Sequence, residues 1–271
     1  MKDKSYLFVP GDRAERFDKA MATNAHVVIL DLEDAVAPDA KDAARRAIAT
    51  WLQGVTLRTS GPRLFLRVND VNTAWYAKDC ALLQSAQIAG VMLPKAEKVE
   101  AVSALANMLN ANQELIPLIE TVRGWDAARE IASVKSVSRL VFGSVDFCID
   151  AGIPGEEEHL HFVRTSLVLA SRLAGVAAPI DGVTVDFRNE AQLKRDVLQS
   201  RKFGFGAKLC IHPAQIESVN AGFAPAAAEI SWAEKVIAAV QSKGAGAIAV
   251  DGKLIDKPLL LRAQKILEAV D

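Results

Sequence analysis

The sequence predicts a (β/α)8 TIM barrel with a C-terminal helical extension. Short apolar runs of strand length alternate with helix-length segments eight times in about 220 residues, the count and span of a closed parallel barrel. No glycine-rich turn follows the first run, as an open dinucleotide-binding sheet would require; Gly204-Phe-Gly206 precedes the eighth run and reads as a helix-to-strand turn. Hydrophobic residues make up 51% of the chain but aromatics only 6%, a balance that suits α/β packing better than a β-sandwich.

The elements follow in order. Tyr6–Val9 is an apolar run closed by Pro10-Gly11, and Asp12 is placed to cap a helix over Arg13–Asn24. Val27–Leu30 forms the second strand, followed by Asp31-Leu-Glu-Asp34 and a helix from Pro38 to about Leu52. Leu64–Val68 is the third strand, with a helix over Thr73–Ser85. Gly90–Leu93 is the fourth, with a helix over Glu97–Leu109. Leu115–Glu120 and Arg139–Phe147 are the fifth and sixth, separated by one helix length. A helix over Glu156–Ala174, a weak seventh strand at Ile180–Val183 and a helix over Glu190–Lys202 come next. Ala207–Ile211 is the eighth strand, and a short helix runs to Asn220. The pattern then changes: an Ala-rich helix spans Ala226–Lys243, a turn and short strand occupy Gly244–Gly252, and a final helix starts near Asp256 with Pro258 in its first turn. The expected division is therefore a barrel over 1–222 and an extension over 223–271, free to cover its own barrel or a neighbour.

A net charge of −1 over 271 residues, with no basic stripe, argues against nucleic acid. The N-terminal apolar run is too short for a signal peptide, and the best candidate span, Ser166–Ile180, is interrupted by Arg172, so no membrane segment is expected. Three cysteines without a CxxC pair point to reduced thiols in the cytoplasm rather than a disulfide framework or zinc site.

The fifth and sixth strands carry the chemistry. Parallel strands joined by a helical crossover are normally adjacent, so carboxylates closing them, Glu120 and Asp146, fall at the same end of the sheet. Two hard oxygen ligands beside the Gly143 turn are suited to Mg²⁺ with room for water and an oxygen-rich ligand. Arg13, Glu33, Asp34, Arg67, Lys95 and His212 fall at the same rim by strand order, which is where barrel enzymes keep their functional groups.

Leu7-Phe-Val-Pro-Gly-Asp-Arg13, Leu30-Asp-Leu-Glu-Asp-Ala-Val36, Arg67-Val-Asn69, Leu93-Pro-Lys95, Ile119-Glu-Thr121, Phe142-Gly-Ser-Val-Asp146, Cys210-Ile-His-Pro213 and the tail Asp251–Pro258 together resemble the citrate lyase β-subunit-like (CitE-like) branch of the HpcH/HpaI aldolase superfamily. The match runs through nearly the whole chain in order, and it specifies the family without specifying a substrate. The resemblance implies a Mg²⁺-dependent enzyme acting on acyl-CoA esters and 2-oxo acids, usually a homotrimer. It makes Glu120 and Asp146 the metal ligands and Arg67 the contact to the oxo-acid carboxylate. It places Arg13 near the substrate or CoA, and makes Glu33 and Asp34 an acidic pair that holds the metal's water. Asp256 becomes an acid/base delivered to a neighbouring subunit in some members. Backbone N–H groups over Gly143, Ser144 and Val145 would add anion binding if they head a helix.

Each residue also has a plainer reading: Arg67 as a salt-bridge partner inside the barrel, Asp256 as an N-cap before Pro258, Glu33 and Asp34 as caps of the second helix, Lys95 as the partner of a rim acid. Asp186-Phe-Arg-Asn189 departs from relatives that carry a further acid near Asn189, a change in the loop expected to border the acyl group. The expected reaction is cleavage of a citryl-, malyl- or citramalyl-type CoA ester into an acyl-CoA and a 2-oxo acid. A CoA-independent 2-oxo acid aldolase, a free-acid synthase or thioesterase on the same scaffold, and a non-catalytic CoA-ester binding protein are the alternatives.

Overall fold

The computed structural model describes residues 3–55, 61–155, 158–243 and 248–270. The chain divides into two compact units, one from Asp3 to Asn220 and the other from Ala221 onward.

The first unit is a closed barrel of eight parallel strands in sequence order: β1 (Ser5–Pro10), β2 (Val27–Asp31), β3 (Arg63–Arg67), β4 (Gly90–Leu93), β5 (Glu114–Ile119), β6 (Val141–Phe142), β7 (Ile180–Asp181) and β8 (Ala207–Cys210). β8 pairs back onto β1 through Tyr6 and Leu209, so no sheet edge is left open. Successive side chains of a strand point to opposite faces. Tyr6, Val27, Ile29, Phe65, Met92, Ile116, Leu118, Val141, Ile180, Ala207 and Leu209 form one buried interior cluster, while Val28, Leu30, Leu64 and Leu66 are buried outside that cluster. Continuing the inward parity by one step brings Asp31, Arg67, Glu120, Gly143, Gly182 and Ile211 to the C-terminal mouth.

The helices are α1 (Phe17–Met21), α2 (Lys41–Gly54), α3 (Tyr76–Cys80), α4 (Val99–Met108), α5 (Val122–Ala132), α6 (Ser144–Ala151), α7 (His161–Leu173), α8 (Glu190–Phe203) and α9 (Ile216–Phe223). Thr121 caps α5 by accepting from the Gly124 N–H, and Asn189 caps α8 by accepting from Gln192. Asn189 is thus committed to the start of α8. The expected first helix is shorter, a 3-10 turn at Ala14–Arg16 leading into α1, and Asp12 makes no capping bond. Part of the expected helix over Glu156–Ala174 lies outside the described residues, and α7 begins at His161.

The sixth strand is where the expected boundaries differ most. The run Arg139–Phe147 reads as one strand, but pairing stops at Phe142 and α6 begins at Ser144. The Gly143 N–H still bonds the Ile119 carbonyl at 2.9 Å, while its own carbonyl accepts the helical bond from Phe147 at 3.0 Å. Asp146 therefore sits in the first turn of a helix rather than at the end of a strand.

The second unit packs α10 (Ala227–Lys243) and α11 (Lys257–Glu268) with an antiparallel hairpin of β9 (Ile248–Val250) and β10 (Lys253–Ile255). Ala233, Val236, Val250, Ile255 and Ala263 are its buried core. The strand expected within Gly244–Gly252 is present as β9; residues 244–247 lie outside the described ones. β10 lies in the stretch read as the entry to the last helix.

Candidate active site at the barrel mouth

A cavity of about 450 Å³ opens at the C-terminal mouth. Its wall includes Asp31, Asp34, Arg67, Glu120, Gly143, Ser144, Val145 and Asp146. Most of the residues singled out from sequence are thus brought together, although they arrive on β3, on α6 and on the loops after β2 and β5.

Arg67 lies at the centre. Asp31 and Arg67 are register partners on β2 and β3, and both side chains turn into the lumen. Nε and Nη2 of Arg67 fork onto the Asp31 carboxylate at 2.7 and 2.6 Å, Nη1 reaches Glu33 at 3.0 Å and Asp34 at 3.5 Å, and the guanidinium lies 4.6 Å above the Phe8 ring. Burial opposes the charge, but Asp31, with Glu33 and Asp34, outweighs it and holds the guanidinium charged. Asp31 also accepts the N–H groups of Glu33 and Ala35, so one carboxylate fixes both the arginine and the loop beside it. Lys41 closes that loop from behind, its ammonium donating to the carbonyls of Leu32 and Glu33 at 2.7 Å each.

Glu120 is almost completely buried, and Oε1 accepts the Lys95 N–H at 2.8 Å. Burial, with the charge of Glu33 adding to it, pushes its carboxyl up to about 8. Gly143 is a space requirement here: a Cβ at that position would fall 2.5 Å from the Glu120 Cβ and 2.8 Å from Oε2. Lys95 itself has a φ of +46°, left-handed backbone that a lysine adopts only under constraint. Its N–H holds Glu120 while its ammonium pairs with Glu33 at 3.1 Å, so the rim-acid reading of Lys95 is the one the geometry shows. Burial also raises the Glu33 carboxyl, against the pull of Arg67.

Glu33 is not on the cavity wall; it sits behind it, clamped between Arg67 and Lys95. Neither Glu33 nor Asp34 caps α2, whose N-terminus has no side-chain cap. Arg13 is exposed, 3.8 Å from Asp12, and does not line the cavity. Asp256 belongs to the second unit, where it caps α11 by accepting the Leu259 N–H at 3.1 Å. The residue the sequence reading passed over is Asp31. Its signal was the alternation Val27, Ile29, Asp31, which points a carboxylate into the lumen.

The mouth of this parallel barrel carries a forked guanidinium–carboxylate pair and three further acids, Asp34, Glu120 and Asp146, at the C-terminal face where (β/α)8 enzymes keep their active sites. The chain belongs to the HpcH/HpaI aldolase/citrate lyase family, whose model matches residues 4–213. A (3S)-malyl-CoA thioesterase of Cereibacter sphaeroides is 33% identical, over 97% of this chain and 93% of that protein. The CitE protein of Mycobacterium tuberculosis, solved with magnesium, acetoacetate and coenzyme A, superposes with a TM-score of 0.84 at 34% identity, covering 98% of this chain and 97% of the other. A citrate lyase β-subunit structure from the same organism, with oxaloacetate and magnesium, gives a TM-score of 0.71 at 33% identity over 82% and 97%. Among the described residues no helix is long and apolar enough to cross a membrane.

Proposed function

We propose that the chain is a Mg²⁺-dependent carbon–carbon lyase. It cleaves a 3-hydroxyacyl-CoA that carries a carboxylate on C3, of the citryl-, malyl- or citramalyl-CoA type, into an acyl-CoA and a 2-oxo acid. The observation that carries this reading is Glu120 and Asp146 on the wall of one cavity with the guanidinium of Arg67.

The donor set fits magnesium. Mg²⁺ is commonly held by one or two carboxylates and takes its remaining ligands from water and substrate. Among the described residues no three His, Cys, Asp or Glu side chains converge as a closed structural zinc site would need. A cation is also the partner that would keep the buried Glu120 carboxyl ionised at neutral pH. In this reading Glu120 and Asp146 hold the ion, which supplies Lewis-acid polarisation of the substrate's oxygens.

The protein's own groups do the rest. Arg67 has five N–H donors; Asp31 takes two and Nη1 faces Glu33 and Asp34, so the second N–H of Nη2 is left for a substrate carboxylate. Asp31 holds the guanidinium in place before the substrate arrives, so little orientational freedom is lost on binding. Backbone N–H groups of Ser144 and Val145 open α6 at the cavity wall, where the helix's positive end favours an oxyanion. Asp256, which the family resemblance assigns to a neighbouring subunit's site, is the acid that protonates the thioester's α-carbon as the bond breaks. The exposed Arg13 is left for the CoA portion. Three cysteines without a CxxC pair support a reducing, cytoplasmic setting for this reading.

A panel of 3-hydroxyacyl-CoA esters assayed with Mg²⁺ and with EDTA tests the reading. The expected result is equimolar 2-oxo acid and acyl-CoA, lost on chelation. Free CoA without oxo acid would make the protein a thioesterase, the reading favoured by the malyl-CoA thioesterase relative. No turnover of any ester, with no shift of the melting temperature by CoA, would remove the thioester from the account, since a ligand of the folded state must stabilise it.

Gly143→Ala gives a second check. Its added methyl is expected to push the Glu120 carboxylate aside and cut kcat/KM roughly 10²-fold, the scale of a 1 Å misplacement. A variant with wild-type kinetics would show that Glu120 does not need its observed position.

A further inference from the structure

Lys95 is the strained residue of the site, and the strain has a visible cause. β4 ends at Leu93, paired with Pro117 of β5. Two residues on, consecutive N–H groups both turn toward β5: Lys95 donates to Oε1 of Glu120 at 2.8 Å and Ala96 to the Leu118 carbonyl at 3.2 Å. In an extended strand consecutive N–H groups point to opposite neighbours, so one residue has to break the alternation. The Ala96 carbonyl is pressed against Gly124 of α5, where a Cβ would fall 2.7 Å from it, and this wedges the turn in place.

The same residue sends its ammonium to the other half of the site. Nζ donates to Oε1 of Glu33 at 3.1 Å, while Oε2 of Glu33 faces Nη1 of Arg67 at 3.0 Å and accepts the Asp34 N–H at 3.2 Å. Arg67 therefore stands against three carboxylates, Asp31, Glu33 and Asp34. A fourth, brought by a substrate, is drawn to the guanidinium only if other cations share the charge already around it. The Lys41 ammonium is bonded to the backbone carbonyls of Leu32 and Glu33. Among the described residues, Lys95 and Arg67 are the two cations paired with the Glu33 carboxylate.

We infer, resting on the lyase reading, that Lys95 is a positioning residue that acts on Arg67 through Glu33. By taking one oxygen of Glu33 it leaves the guanidinium able to receive the carboxylate of the 2-oxo acid. The left-handed turn lets one residue do this while its N–H stays on Glu120. Lys95 itself touches no substrate. Its effect falls on affinity for the oxo-acid end, which is bound alike before and during bond cleavage.

The test uses the full chain loaded with Mg²⁺. Binding of pyruvate, glyoxylate and oxaloacetate is followed by titration calorimetry, and kcat and KM are taken on whichever hydroxyacyl-CoA ester turns over. The Lys95 side chain is 43% exposed, so its pair with Glu33 is screened by salt and reads best at low ionic strength. Lys95→Ala is expected to weaken the oxo acid that binds by roughly tenfold, within the range for neighbours in one ion-pair network. KM should rise by a similar factor with kcat within about twofold, the mark of a lost uniform binding interaction. Lys95→Arg is expected to restore most of the affinity. Lys95→Gly lacks the ammonium but suits the positive φ, so it should melt above Lys95→Ala and bind the oxo acid no better. In a Glu33→Gln background, Lys95→Ala should cost less than about twofold, because the route runs through the Glu33 charge.

An unchanged affinity and KM in Lys95→Ala, or a fall in kcat with KM unchanged, overturns the inference. Recovery of affinity in Lys95→Gly would make the turn a stability feature alone. A tenfold loss that persists in the Glu33→Gln background would mean that the ammonium meets the ligand directly. Each of these leaves the lyase reading standing. A wild type that binds none of the three acids and cleaves no ester overturns both.

Discussion

Replacing Glu120 with alanine is expected to abolish Mg²⁺-dependent cleavage while leaving the barrel at least as stable as before. The carboxyl is buried, and burial, with the charges of Glu33 and Asp146 adding to it, pushes it up to about 8. In the absence of a cation it is a liability that the fold tolerates for function, so its removal relieves a buried acid from repulsion. Activity should fall about 10²- to 10³-fold or more, the effect of deleting one preorganised group at the point where charge develops. Asp146→Ala should lose activity in the same way. Initial rates across a Mg²⁺ titration give the first number and calorimetric melting gives the second. Full activity in either variant ends the metal assignment, and a large fall in melting temperature would make Glu120 a structural residue.

The second large effect is expected at Arg67, with the opposite balance. Removing the guanidinium leaves Asp31, Glu33 and Asp34 facing one another with Lys95 and Lys41 as the nearby cations. Breaking a buried ion pair by deleting one partner typically costs about 3–5 kcal/mol, much more than a surface pair. Arg67→Ala should lose stability of that order in urea unfolding, together with the activity. Arg67→Lys should recover part of the stability but little activity, because an ammonium restores charge without the planar fork. Asp31→Asn in the Arg67→Ala background should return some of the lost stability. A loss below about 1 kcal/mol for Arg67→Ala would place the arginine in the weak, solvent-screened class and contradict its observed burial.

The barrel was legible because its cause is local: each of the eight apolar runs is short, ends in a turn or polar residue, and is followed by a helical period. Gly90–Leu93 falls on the expected residues and Ala207–Cys210 ends one residue early, since nothing but strand geometry acts on them. Arg139–Phe147 was misread because a strand and the first turn of a helix can share one apolar stretch, and periodicity over nine residues does not separate them. The acids Glu120 and Asp146 were visible as carboxylates that close two apolar runs joined by one helix length. The role of Asp31 was not read, because its importance comes from a partner 36 residues away across the β2–β3 register. Lys95 shows the same limit. Its contact with Glu33 joins residues 62 apart, and its backbone conformation has no signature in the residue types around it.

The order of groups around the mouth has a consequence for how such a protein can change over generations. The acids and Arg67 arrive on β2, β3, α6 and the loops after β2 and β5, whereas Val185 and Ile211 lie beyond the ends of β7 and β8. Replacements at Val185 or Ile211 touch neither the guanidinium clamp nor the glycine that makes room for Glu120. A lineage can therefore vary that sector of the ring without passing through an ancestor that has lost the clamp.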